Sequence, residues 1–120
     1  MGEDRWRKLA VWQLADDLAL QVYKLTSAFP GSERYGLTSQ MRRAALSVPT
    51  NIVEGYSRRG DKELAHFLNI ACGSLAELKY LVHFSARLEY LCKEDIRSVT
   101  DQCETVGKQL WSFYHRVKNS

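Results

Sequence analysis

An all-α fold, built as an antiparallel up-down-up-down four-helix bundle, is what this 120-residue sequence predicts. Three observations carry the expectation. Four separate series of apolar residues repeat at spacings of three and four, no segment alternates strictly as a half-buried strand would, and the breaks between series are short. Hydrophobic residues make up 45% and charged residues 26% of the chain, the balance of a folded domain and not of a disordered tail. The length suits one domain, residues 1–120, with one core.

The first series, Leu14, Leu18, Val22, Leu25 and Phe29, predicts a helix over about 9–29 that Pro30-Gly31 ends. Asp16, Asp17, Gln21 and Lys24 would face water, and the first eight residues would be frayed or folded back. The second, Leu37, Met41, Ala44 or Ala45, Val48 and Ile52, predicts a helix over about 36–55 with Gly55 as its stop. Pro49 lies inside it and cannot donate to the carbonyl of Ala45, so one helix kinked at Pro49 is expected in preference to two fragments. Asp61 then reads as the N-cap of a third helix, about 61–89, following the polar joint Tyr56-Ser57-Arg58-Arg59-Gly60. Its stripe is Leu64, Phe67 or Leu68, Ala71, Leu75, Leu78, Val82 and Leu88, interrupted by Gly73 and Ser74, which either admit a close neighbour or mark a bend. The fourth series, Ile96, Val99, Cys103, Val106, Leu110, Phe113 and Val117, is a heptad seam over about 93–117.

The chemistry the sequence lacks narrows the function. No apolar run approaches the roughly 20 residues that span a bilayer, and Met1-Gly2-Glu3-Asp4-Arg5-Trp6 has no apolar signal core. Trp6 stands where acylation at Gly2 would want Ser or Thr, so a cytoplasmic chain without membrane contact is expected. Cys72, Cys92 and Cys103 are an odd number without a C-x-x-C pair, which suits reduced thiols, with Cys72 and Cys103 packed in helices. Glu-x-x-His, His-Glu-x-x-His and a Gly-rich phosphate loop are all absent, and His66, His83 and His115 have no ligand spacing. A non-enzymatic protein without metal or cofactor is expected.

The net charge of +3 is concentrated in one segment. Residues 31–62 hold Arg34, Arg42, Arg43, Arg58, Arg59 and Lys62 against Glu33, Glu54 and Asp61, while the remaining segments nearly cancel. Guanidinium groups bind phosphate in a bidentate way and stack on bases, so Arg42, Arg43, Arg58, Arg59 and Lys62, with Tyr56 beside them, are candidate nucleic-acid contacts along one ridge. The alternative is a solvated, salt-bridged face. Gln40, Ser47, Asn51 and Glu54 share a face of the second helix, as a hydrogen-bonded network that satisfies the carbonyl freed by Pro49 and caps the helix end, or as a recognition stripe. Trp6, Trp12, Tyr23, Trp111 and Tyr114, together with Tyr35 and Tyr56, fall off the four stripes and are candidate oligomer contacts.

The run Leu37-Thr38-Ser39-Gln40-Met41-Arg42-Arg43-Ala44-Ala45-Leu46-Ser47-Val48-Pro49-Thr50-Asn51-Ile52-Val53-Glu54-Gly55 resembles the four-helix-bundle proteins encoded in intervening sequences of bacterial 23S ribosomal RNA genes. The likeness begins at Val11-Trp12-Gln13-Leu14-Ala15 and continues through Phe67 to Leu78, where Gly73, Ser74, Glu77 and Leu78 match a Gly-Ser-x-x-Glu-Leu signature. It covers residues 11–90, with the fourth helix matched by pattern only. Cys72 and Val53 are minor departures. The resemblance implies a four-helix bundle that assembles as a ring-shaped homopentamer. It also implies kinship with accessory proteins of diversity-generating retroelements, which bind nucleic acid and a reverse transcriptase, and it implies no known reaction. The residues it carries over are Gln40, Arg42, Arg43, Ser47, Asn51, Glu54, Gly55, Gly73, Ser74 and Glu77. The function expected is an oligomer that binds RNA or DNA. The alternative is an adaptor whose helical surfaces meet a protein partner such as a reverse transcriptase.

Overall fold

The computed structural model describes residues 4–120, so Met1, Glu3 and the weighed acylation position Gly2 lie outside the described residues. Four helices follow one another: α1 (Ala10–Thr26), α2 (Leu37–Tyr56), α3 (Asp61–Arg87) and α4 (Lys93–Lys118). The described residues contain no strand. Each helix packs on the next and α1 closes on α4, while the diagonal pairs α1–α3 and α2–α4 make no close backbone approach. The contacts Met41–Ser85, Arg43–Glu77 and Ser47–Ser74 run in opposite senses along α2 and α3. Lys79–Glu104 and Asp61–Ser120 do the same for α3 and α4. The result is an up-down-up-down bundle of 43 × 25 × 20 Å, about as long as the 27-residue α3 at ~1.5 Å per residue.

Burial follows the apolar stripes. Leu18, Val22, Met41, Val48, Ile52, Leu68, Leu78, Val99, Val106 and Leu110 are fully enclosed, and every residue of the expected α2 stripe is in the core. Of the alternatives on α3, Leu68 is buried and Phe67 half-buried. α2 runs unbroken through Pro49, which is itself buried, so it is one helix and not two.

The ends of the elements differ from the sequence expectation, each for a local reason. α1 stops at Thr26 and not near 29, because Ala28 and Phe29 donate to Leu25 and Thr26, turning the chain so that Phe29 packs on the ring of Tyr90. α3 stops at Arg87 and not 89, because Glu89 takes φ +63° while the N–H groups of Glu89 and Tyr90 bond the carbonyls of Ala86 and Ser85, a Schellman turn. Leu88 is therefore 40% exposed, and Leu81 and Ser85 occupy the core in its place. Asp61 is not the N-cap of α3. It is the first helical residue, accepts from the Ser120 hydroxyl, and follows Gly60 at φ +88°. Gly55 is not a stop either, since it lies within α2, where a Cβ would come 2.8 Å from that of Phe67, so its absent side chain lets α2 and α3 converge. Gly73 faces open space, which leaves the close approach to Gly55.

Before α1, Arg5–Lys8 form a 3₁₀ turn that folds back, with Trp6 edge-on to Trp12 at 4.8 Å and the Gln13 side chain donating to the Arg7 carbonyl. No helix among the described residues is long and apolar enough to cross a membrane.

Candidate functional site

The connection from α1 to α2 makes a tight 3₁₀ turn at Gly31–Glu33, and the Glu33 carboxylate fastens it at two points. One oxygen accepts from the Leu37 N–H at the start of α2, and the other accepts from the Tyr90 hydroxyl at the α3–α4 turn. Arg34 and Tyr35 follow directly and project outward, with the guanidinium 5.6 Å from the ring centre. They form one wall of a shallow groove of ≈ 430 Å³, completed by Tyr23, Thr38, Arg42 and Arg43. Three arginines line this groove and no carboxylate does.

The two adjacent arginines have different environments. Arg42 is half-buried, with Nε donating to the Thr26 hydroxyl at 2.8 Å and an Nη donating to the Tyr23 carbonyl at 3.2 Å. The same guanidinium lies 4.6 Å from the centre of the Tyr23 ring. These groups belong to the last turn of α1, where the Tyr23 carbonyl also accepts from the Thr26 and Ser27 hydroxyls and the negative end of the helix dipole lies, so Arg42 adds a charged cap to a hydroxyl-capped end. Arg43, one position on, is exposed and pairs with Glu77 of α3.

The expected ridge of five cations does not form. Arg42 and Arg43 sit near the start of α2, whereas Arg58, Arg59 and Lys62 lie past its end, and the helix from Arg42 to Tyr56 separates them by about 21 Å. Arg58 is spent on Glu54 at 2.9 Å and lies over Phe67. Arg59 and Lys62 are exposed at that far end of the bundle. What the structure adds at the near end is Arg34, which sequence reasoning counted but did not place in a site, and Tyr35, which it read as an oligomer contact. The signal was available as a basic-aromatic pair immediately before a helix carrying two arginines.

The polar face of α2 resolves in part into a hydrogen-bonded network. The Ser47 and Ser74 hydroxyls meet at 2.7 Å across α2 and α3, and the Asn51 amide donates to both the hydroxyl and the carbonyl of Ser47. The carbonyl served is that of Ser47 and not that of Ala45, as the proline argument had it. With Arg43–Glu77 and Arg58–Glu54 on either side, most of the residues carried over by the resemblance lie along one α2–α3 face. Gln40 stands apart, exposed on a second groove beside Leu37, Tyr80 and Phe84.

The aromatic residues divide as well. Trp6, Trp12, Tyr23 and Tyr114 are half-buried against their own chain. Trp111 remains 61% exposed, with its ring against that of His115, and Tyr35 is 87% exposed. Tyr80 and Phe84 along α3, with Leu88 as its C-cap, form a further exposed apolar stripe at helical spacing. Of the thiols, Cys103 is buried, Cys72 half-buried, and Cys92 exposed, its sulfur accepting from the Asp95 N–H at the start of α4. Burial pushes the Cys103 thiol up to about 11, so it stays protonated at neutral pH.

Comparisons with known proteins agree with the four-helix fold. A family model for the 23S rRNA-intervening sequence protein matches residues 7–112. A solved structure from Bacteroides thetaiotaomicron VPI-5482, described as a protein with unknown function from the S23 ribosomal protein family, superposes with a TM-score of 0.79. It is 22% identical, and the match covers 88% of this chain and 98% of that one, a likeness of fold. No curated protein matches.

Proposed function

We propose a role on one premise: this chain belongs to the 23S rRNA-intervening sequence protein family. It is a non-enzymatic, cytoplasmic assembly protein that binds nucleic acid, and the contact surface is the groove between the α1–α2 connection and the first turns of α2. The observation that supports this reading is the set of three arginines, Arg34, Arg42 and Arg43, converging without a carboxylate in the groove. Such a surface attracts phosphate, supplies bidentate donors, and releases counterions from a polyanion on binding.

The chain acts as a homo-oligomer, a ring of five on the family resemblance. Five copies would bring a formal charge of +15, five times the +3 of one chain, and would repeat the groove around an axis. Weak sites repeated in this way bind a long polyanion through effective concentration. The test is fluorescence anisotropy of RNA and DNA oligonucleotides over a salt series. Binding that falls with salt at a log–log slope of about −2 per groove, and that weakens in Arg34→Glu and Arg43→Glu, supports the reading. Absence of binding to structured RNA, single-stranded RNA and DNA at low salt overturns it.

A second reading, an adaptor for a protein partner, is favoured by the exposed stripe of Tyr80 and Phe84 on α3 with Leu88 just past its end. Retention of a stoichiometric protein through nuclease treatment would favour that reading over the first.

A further inference from the structure

We propose that the groove takes single-stranded nucleic acid, with an unpaired base stacked on the Tyr35 ring and the adjoining phosphate held by Arg34 and Arg43. The inference rests on the nucleic-acid reading above and narrows it to a strand form and a stacking residue.

An exposed tyrosine is by itself ordinary on a protein surface. Tyr35 differs in its position and its company. Its ring is 87% exposed, yet it stands on the wall of a concave, cationic surface and not on a convex one. Its backbone is held on both sides, by the 3₁₀ turn before it and by α2 from Leu37 onward, with Glu33 fastened to Leu37 and Tyr90. The ring is therefore presented from an anchored support, and little backbone ordering remains to be lost on binding. Arg34 lies over one face of the ring at 5.6 Å, which leaves the opposite face for a base, and among the described residues no carboxylate pairs with Arg34. A tyrosine face with a neighbouring guanidinium is the pairing that stacks bases irrespective of their identity, because every base has a π face.

The strand form follows from what the groove offers. A duplex keeps its bases stacked inside and presents phosphates and groove edges, so it gains nothing from the Tyr35 ring. A single strand can turn one base out onto the ring while its backbone reaches Arg43 and the exposed Ser39 hydroxyl in the first turn of α2. Arg42 contributes its charge from below but is committed to α1, so the phosphate falls to Arg34, which has no carboxylate partner among the described residues, and to Arg43, which must exchange its exposed pair with Glu77 for it.

The experiment uses the full chain and three labelled probes at one low salt concentration: an oligo(U) 20-mer, an oligo(dT) 20-mer, and a 20-base-pair mixed-sequence RNA duplex. At least one single strand is expected to bind ten-fold or more tightly than the duplex, and comparison of the two single strands distinguishes RNA from DNA as the source. Tyr35→Ala is expected to lower single-strand affinity by about 5- to 150-fold while leaving duplex affinity unchanged, and Tyr35→Phe is expected to retain it. Equal or tighter binding of the duplex, or unaltered single-strand binding in Tyr35→Ala, overturns the proposal while leaving the broader nucleic-acid reading standing. Failure of all three probes to bind overturns both.

Discussion

The Tyr90 hydroxyl donates to the Glu33 carboxylate at 3.0 Å across 57 positions of sequence, and this one bond ties the α3–α4 turn to the connection that carries Arg34 and Tyr35. Both the hydrogen bond and the negative charge of Glu33, with burial adding to them, hold the Tyr90 phenol above its ordinary value of 10.0. Because this group's folded-state value is raised, its contribution to stability is complete below pH 10.0 and disappears as the pH climbs through the folded-state value. Tyr90→Phe should therefore lower the urea midpoint at pH 8, and the gap to the wild type should close as the pH is raised beyond 10.0. Equal midpoints at pH 8 would show that the bond contributes nothing.

Two glycines in superficially similar helical settings should respond in opposite directions to the same substitution. Gly55→Ala places a methyl group 2.8 Å from the Cβ of Phe67, which is anchored to the α3 backbone, so the helices must part. A loss of about 1–3 kcal/mol is expected, as for overpacking elsewhere. Gly73→Ala meets nothing within 4 Å and improves helix propensity, so a gain of roughly 0.5–1 kcal/mol is expected. Thermal or urea unfolding of the two variants side by side decides the matter, and a stabilised Gly55→Ala would contradict the close approach of α2 and α3.

On α4 the seam is graded. Leu110 is 1% exposed and enclosed by the bundle, so Leu110→Ala should cost about 2–5 kcal/mol through lost burial and the cavity it leaves. Phe113, one turn later on the same seam, is only half-buried, with Arg116 over its ring, and Phe113→Ala should cost less than Leu110→Ala. A reversed order of urea midpoints would mean that the core extends toward the C-terminal end of α4.

How much of this was legible in the sequence depends on the range of the interactions. The α2 stripe from Leu37 to Ile52 could be read because helical spacing alone decides which side chains meet the core. The helix ends could not, since the start of α3 is set by Gly60 and its end by Glu89 through backbone conformation, and a glutamate at positive φ carries no sequence signal of the kind glycine gives. The groove was hidden for a different reason. Arg34 and Tyr35 are placed by Glu33, whose partner Tyr90 comes from another turn, and the work of Arg42 depends on α1 ending beneath it. A count of charges along the chain sees six cations in one segment and cannot see that about 21 Å of helix divides them.

The same point separates two residues that a sequence treats alike. Arg42 satisfies acceptors at the end of α1 and lies over Tyr23, so removing it strips a charged cap from a half-buried site. Arg42→Gln should destabilise the fold by about 1–2 kcal/mol, in the range of hydrogen bonds made by charged groups and discounted for partial exposure. Arg43 holds only an exposed pair with Glu77, and such pairs contribute at most about 1 kcal/mol. Arg43→Gln should therefore leave the urea midpoint nearly unchanged while weakening nucleic-acid binding and reducing the salt slope by about 0.7–0.9, the share of one phosphate contact. Charge reversal at Arg42 and Arg43 together would confound folding with binding, so the single variants are the informative ones. Full affinity in a folded Arg43→Gln protein would remove Arg43 from the contact surface, and an undiminished midpoint in Arg42→Gln would mean that the Thr26 and Ser27 hydroxyls hold the end of α1 without the guanidinium.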